Sequence, residues 1–218
     1  MTDRTLNPGQ RAILDLLIRR FPELAPIEGT IVAGYELIKG CYDAGGKVLL
    51  SGNGGSCADA EHIAGELLKG FVKKRPVRGE AREQLLALGE DGALLAERLQ
   101  EGLPAIPLNI PALSTAALND LGGEMHFAQQ VMALGNRGDV LIGISTSGNA
   151  RNIHLASLTA KAKGMRVLGL TGAADGLLGK DADVNIAAPA TETYQIQELH
   201  LPIYHALCAM LEEAFFEV

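Results

Sequence analysis

The segment Val48-Leu-Leu-Ser-Gly-Asn-Gly-Gly-Ser56 decides how the chain is read. It begins as a short apolar run, Val48 to Leu50, and breaks at a Gly/Asn/Ser turn. Ala60, Ile63, Ala64 and Leu67 then recur at three and four residues, which is helical spacing. The pattern is strand, glycine loop, helix. Such a loop bares backbone N–H groups at a helix N-terminus, where the dipole favours an anion. On the same helix His62 and Glu66 stand four residues apart, so their side chains emerge on one face.

A second unit repeats this order. Val140 to Ile144 is a buried-strand run, Ser145-Thr146-Ser147-Gly148-Asn149 follows at once, and a helix is expected from about Ala150 to Lys163. Three hydroxyls beside bare N–H groups suit the several acceptor oxygens of a phosphate, whereas a helix cap needs only one. The loop is not a Walker A loop, since no Gly-Lys-Ser/Thr occurs, nor a Rossmann fingerprint.

Around these units the elements alternate. Residues 1–9 read as a loose arm, and helices are expected from about Gln10 to Phe21 and from Glu28 to Ala44. Further strands are expected at Ile106–Ile110, Val167–Leu170 and Asp183–Ala187. Helices are expected from Ser114 to Asp120, from Phe127 to Leu134, and from about Thr191 or Glu192 to Phe216, with Pro202 inside the last and expected to kink it. Residues 78–103, where leucines alternate with Glu, Arg and Gln, read as a helical excursion. Apolar strands alternating with helices imply one α/β domain, a parallel sheet covered on both faces by helices. Ligands in such sheets sit beyond strand C-terminal ends near a topological switch point, which is where both loops fall.

Composition narrows the function. The 218 residues are 47% hydrophobic and 21% charged, with no Trp and a formal charge of −7. An acidic chain is a poor partner for a phosphate backbone, so direct nucleic-acid binding is not expected. Cys41, Cys57 and Cys208 form no disulfide framework and fit a reducing, cytoplasmic setting. Cys57, beside the glycine loop, reads as a small residue of the first helical turn rather than a nucleophile. Neither a secretory leader nor a bilayer-length apolar run is seen, so no membrane role is expected. The terminal helices carry more Leu, Ile and Ala than one small sheet needs, which predicts a closed homo-oligomer.

His62 and Glu66 at this spacing would suit zinc or another divalent ion. On the last helix Gln197 and His205 are eight residues apart and share a face within about 80°. Tyr194 and His200 lie near that face, while His126 and His154 lack comparable partners in the sequence. An amide and an imidazole on one helix can thus meet an imidazole and a carboxylate on another.

Gly52-Asn53-Gly54-Gly55-Ser56, His62-Ile-Ala-Gly-Glu66, Asn119-Asp120, Gly143-Ile-Ser-Thr-Ser-Gly-Asn149 and Ile196-Gln-Glu-Leu-His200 with His205 together resemble the sugar isomerase (SIS) domain family, and most of all its phosphoheptose isomerase branch. The likeness covers nearly the whole chain except residues 78–103. It implies a flavodoxin-like three-layer fold, assembled as a tetramer. It implies that Ser145, Thr146 and Ser147 hold a sugar phosphate, and that Asn53, Gly54 and Gly55, with Glu66, Asn119, Asp120 and Gln197, bind the sugar. It implies a divalent metal, zinc by preference, on His62, Glu66, Gln197 and His205. Glu66 and His205 would be the acid–base pair of an aldose–ketose isomerisation through an enediol. The other activity the likeness allows is a non-catalytic module that binds a phosphosugar or a protein, as in relatives associated with the bacterial replication initiator. Ala150 departs from the branch, which tends to carry a further phosphate-contacting Ser there.

Overall fold

The computed structural model describes residues 6–216. Residues 1–5, most of the expected N-terminal arm, lie outside the described residues. The rest of that arm is short, because helix α1 (Pro8–Arg20) starts at a capping box. Asn7 accepts from the Gln10 N–H, and the Gln10 side chain accepts from the Asn7 N–H. A 3-10 turn (Pro22–Ile27) that the spacing did not announce joins it to α2 (Glu28–Asp43).

Among the described residues, one parallel sheet holds five strands: β1 (Val48–Gly52), β2 (Ala105–Pro107), β3 (Val140–Ser145), β4 (Arg166–Thr171) and β5 (Val184–Ala187). Their order is β2-β1-β3-β4-β5, with every pairing parallel. That is the flavodoxin-like order, and its switch point lies between β1 and β3. Strand β2 is shorter than the expected Ile106–Ile110. Pro107 closes it, and Pro111 already opens the next helix, three residues before the expected Ser114.

Helices cover both faces. Val48, Leu50, Val140, Ile142 and Leu168 point to one side, into a core shared with α1, α2, α3 (Gly55–Leu68) and α10 (Thr193–Phe215). Leu49, Leu141 and Val167 alternate to the other side, against α7 (His126–Leu134), α8 (Arg151–Ala162) and α9 (Gly176–Asp181). Helix α9 was missed in the sequence, where six residues carry too little periodicity. The excursion forms two helices, α4 (Gly79–Leu86) and α5 (Glu90–Arg98), and α6 (Pro111–Asp120) leads into α7. The expected kink at Pro202 does not interrupt α10, which is one helix across it.

Two histidines take structural places. His154 Nδ1 meets Asp181 Oδ2 at 2.5 Å, a partner on α9 that sequence spacing could not reveal. His200, near the expected active face by angle alone, is turned inward and fully buried. Its Nε2 donates to the Thr171 carbonyl at 3.0 Å, while Nδ1 is buried and has no partner among the described residues. Burial holds its pKa below the ordinary imidazole value, with the Thr171 hydrogen bond opposing. The unfolded chain therefore takes up this proton more readily than the folded one. The stability that depends on neutral His200 is complete above about pH 6.5 and is lost as pH falls through the window beneath it. Melting temperatures taken at successively lower pH should fall over this range, and His200→Gln should flatten the slope. A slope unchanged by that substitution would contradict the assignment.

Candidate functional site

The two loops leave adjacent strands at the switch point. Register pairs Ser51 with Gly143 and Gly52 with Ile144, so the chain emerges at the same edge of the sheet after β1 and after β3. The first loop turns sharply. Gly52 packs so closely on the Ser56 backbone that no Cβ fits, and Gly54 has φ 55°. Helix α3 then starts at Gly55, and the Ser56 and Cys57 N–H groups donate to the Asn53 and Gly54 carbonyls at 3.0 Å each. In the second loop Ser145 is buried, Thr146 half-buried and Ser147 exposed. Ser147 Oγ accepts the Asn149 N–H at 3.2 Å. Ala150 is the N-cap of α8 and supplies no side-chain cap.

An amide pair ties the loops together. Asn53 Nδ2 donates to Asn152 Oδ1 at 2.9 Å, and Asn152 Nδ2 donates back to Asn53 Oδ1 at 2.8 Å. Sequence reading singled out Asn53 but not Asn152. The only signal was its place in the first turn of α8, where Asn reads as an ordinary helix-start residue.

The side-chain chemistry comes from α3 and α10, which lie against each other. His62 Nε2 is the hub. It stands 3.2 Å from Glu66 Oε1 and 3.4 Å from His205 Nε2. Its Nδ1 meets the Tyr204 hydroxyl at 3.0 Å, and that hydroxyl donates to Asp59 Oδ1 at 3.2 Å. Lys69 Nζ reaches the other Glu66 oxygen at 3.3 Å. Burial lowers the His205 pKa, helped by His62 and Arg20 and opposed by Glu66, so its imidazole is neutral near pH 7. Burial likewise raises the carboxyl of Asp59, against the Tyr204 hydrogen bond and His62. Asp59 and Tyr204 escaped the sequence reading, because Tyr204 is apolar in pattern and its partner is 145 residues away.

Gln197 lies elsewhere on the same helix pair. Its amide covers Gly55, leaving no room for a Cβ there. Seven residues of α3, about 10 Å of rise, separate Gly55 from His62. Thus Gln197 marks the loop end of the site and His205 the hub end. Asn119 and Asp120 are exposed at the C-terminal end of α6 and, among the described residues, make no hydrogen bond or ion pair with the other site residues.

Among the described residues, no group of three or more His, Cys, Asp or Glu side chains is placed to hold a metal ion. Two pairs about His62 Nε2 nevertheless have ligand-like spacing. Two ligands of a tetrahedral zinc, each about 2.0–2.2 Å from it, lie roughly 3.3–3.5 Å apart. The separations of 3.2 and 3.4 Å are close to that range.

A groove of about 590 Å³ opens beside His205, between α1, α10 and residues 71–73, and is largely apolar, with Leu16, Leu17, Phe21 and Leu201 in its walls.

A parallel sheet of this order with two loops side by side at its switch point defines a flavodoxin-like α/β domain. Residues 23–172 match the SIS domain model, and the chain belongs to that family. It is 43% identical over 173 residues to a phosphoheptose isomerase of Burkholderia pseudomallei, covering 79% of this chain and 75% of the relative. It is 38% identical over 207 residues to one of Roseiflexus, covering 94% and 91%. The solved phosphoheptose isomerase of Neisseria gonorrhoeae superposes with a TM-score of 0.72 at 32% identity, covering 93% of this chain and 96% of that one. That of Francisella tularensis gives 0.73 at 30%, with the same coverage.

Gly55→Ala should fold, since the backbone there is unstrained and only the flexible end of Gln197 must move. Calorimetric titration should find sugar-phosphate binding weakened about tenfold, the worth of one hydrogen bond to a charged or polar group. Unchanged binding would remove the Gln197 amide from the site.

Proposed function

We infer that the chain is a phosphosugar aldose–ketose isomerase of the sedoheptulose 7-phosphate type. The observation that carries this is the apposition of Glu66, His62 and His205, three groups fit for proton transfer, on the helix that begins at the glycine loop and on the helix packed along it. Relatives with 38–43% identity bear the name phosphoheptose isomerase.

The reaction moves a proton between C1 and C2 of the open-chain sugar through a cis-enediol. It needs a base at carbon and a group that shuttles a proton between the two oxygens. Glu66 is an acceptor held in place by His62 and Lys69. His205, kept neutral, can accept from one oxygen and give to the other. Ser145, Thr146 and Ser147 would hold the phosphate, and the Asn53–Asn152 pair, Gly54, Gly55 and Gln197 would line the chain of the sugar between them. Asn119 and Asp120 would join the sugar site.

His62, Glu66 and His205 would hold a divalent ion, zinc by the chemistry of two imidazoles and a carboxylate, and Gln197, expected as the fourth ligand, would have to swing its amide away from Gly55 to reach it. When bound, such an ion polarises the carbonyl oxygen of the substrate. The apolar groove beside His205 supports association into a homo-oligomer, a tetramer by family likeness. Among the described residues no helix is long and apolar enough to cross a membrane, and a cytoplasmic location is proposed with the rest. The chain is read as one SIS domain with residues 78–103 as its insertion.

Four measurements test the reading. A panel of ketose phosphates assayed in deuterium oxide should give turnover with label at C1 or C2; binding without turnover would favour the non-catalytic module. Glu66→Gln should abolish isomerisation and spare phosphosugar binding, and retained turnover would remove Glu66 from the mechanism. Elemental analysis of untagged protein should find about one divalent ion per chain, and an ion-free, fully active preparation would refute the metal. Sedimentation showing only monomer at micromolar concentration would refute the oligomer.

A further inference from the structure

We propose that Arg75 and Glu212 are positioning residues that set the distance between Glu66 and His205. This rests on the isomerase reading, and it assigns a role to a buried ion pair outside the site residues named so far.

Both side chains are almost fully buried, at 0% and 1% exposure, and Arg75 Nε donates to Glu212 Oε1 at 2.8 Å. Each then holds one side of the site. On the α3 side, Arg75 Nη1 donates to the Leu67 carbonyl at 2.8 Å and Nη2 to the Glu66 carbonyl at 3.3 Å. Helix α3 ends at Leu68, so these are carbonyls of its last turn, which have no partner within the helix. The guanidinium thus caps the helix at the residue whose carboxylate is the candidate base. On the α10 side, Glu212 follows His205 by seven residues, so the two project within about 20° of one another on the helix. Its Oε1 accepts the Phe71 N–H at 2.9 Å, and its Oε2 accepts those of Val72 and Lys73 at 2.8 and 2.9 Å. The segment that leaves α3 is therefore wrapped around a carboxylate of α10.

A fixed point is needed here because of Pro202. It lacks the N–H that would bond to the Glu198 carbonyl, so α10 is weakened three residues before His205. Beyond that weak place, Glu212 locks α10 to the end of α3, next to an ion pair of Glu213 with Lys73 at 2.6 Å. The Arg75 guanidinium also lies 4.4 Å over the Phe216 ring, which packs the last turn against the same knot. Arginine suits the task because its planar fork addresses the carboxylate and two carbonyls at once, and lysine has no such fork.

The test compares Arg75→Lys and Glu212→Gln with wild type and with Val167→Ala. Val167 is fully buried near the N-terminal end of β4, away from the site, and serves as a control that costs stability alone. All are assayed well below their melting temperatures. A misplacement of about 1 Å costs about a hundredfold in rate. Arg75→Lys and Glu212→Gln should therefore lower kcat about tenfold or more, with KM within about twofold, while Val167→Ala keeps wild-type kcat. Crystal structures of the two clamp variants should show Glu66 and His205 moved apart. If kcat falls no further than in the control, or if the crystal structures leave the pair in place, the proposal is overturned. A wild-type protein inert on every sugar phosphate would defeat the isomerase reading instead, and the crystal structures would still decide the clamp.

Discussion

The packing of α10 along α3 is the contact on which the chemistry depends. Neither helix carries a complete set of groups: α3 brings His62 and Glu66, and α10 brings Gln197 and His205. The two run side by side, so the pairs meet at matching heights, Gln197 over Gly55 and His205 against His62. Helix α3 can start so close to the sheet because Gly52 lets the chain fold back onto the Ser56 backbone. The switch point between β1 and β3 supplies the other half, since it puts the glycine loop beside the hydroxyl loop. A small backbone allowance at one glycine therefore determines where a carboxylate fourteen residues further on is held.

How much of this was legible in the chain follows from the range of each interaction. The strand, loop and helix units at Val48–Leu67 and Val140–Lys163 are local patterns, and they stand where the spacing put them. The i, i+4 relation of His62 and Glu66 is equally local. The meeting of α3 with α10 is not local: helix spacing showed only that their groups could meet, and family likeness joined them in the sequence. Tyr204, Asp59 and Asn152 show the limit. Each is ordinary in its own segment and acquires meaning from a partner about a hundred or more residues away. His200 shows the reverse error of angle-based reading. Its position three residues after Gln197 set it near the active face, yet tertiary packing turned it toward Thr171.

Pro202 and Ala150 show how a locally unfavourable residue is absorbed. Pro202 forfeits one helix bond, but α10 as a whole packs on α1 and α3, and the helix continues across it. Ala150 gives its helix no side-chain cap, and Asn152 Oδ1 instead accepts the Ile153 N–H at 3.0 Å while its amide reaches Asn53. The capping acceptor has moved two residues along, and its side chain has become a link between the loops. Sequence comparison at position 150 alone registers only a loss.

The hairpin of α4 and α5 leaves the site undisturbed because its base is closed. Gln100 Oε1 accepts the Gly70 N–H at 3.1 Å, the Glu101 N–H donates to the Arg75 carbonyl at 2.7 Å, and Pro76 bridges Gln100 in antiparallel fashion. The two ends of the insertion are therefore pinned beside the Arg75–Glu212 pair before the helices begin. Lengthening a loop whose ends are already held costs only slowly growing closure entropy. Removing one partner of the buried pair is a different matter, since an unpaired buried charge costs about 3–5 kcal/mol. The chain can thus vary what hangs from this base far more freely than the base itself, which is why the excursion reads as foreign to its surroundings while Arg75, one residue before the bridge, is fully enclosed.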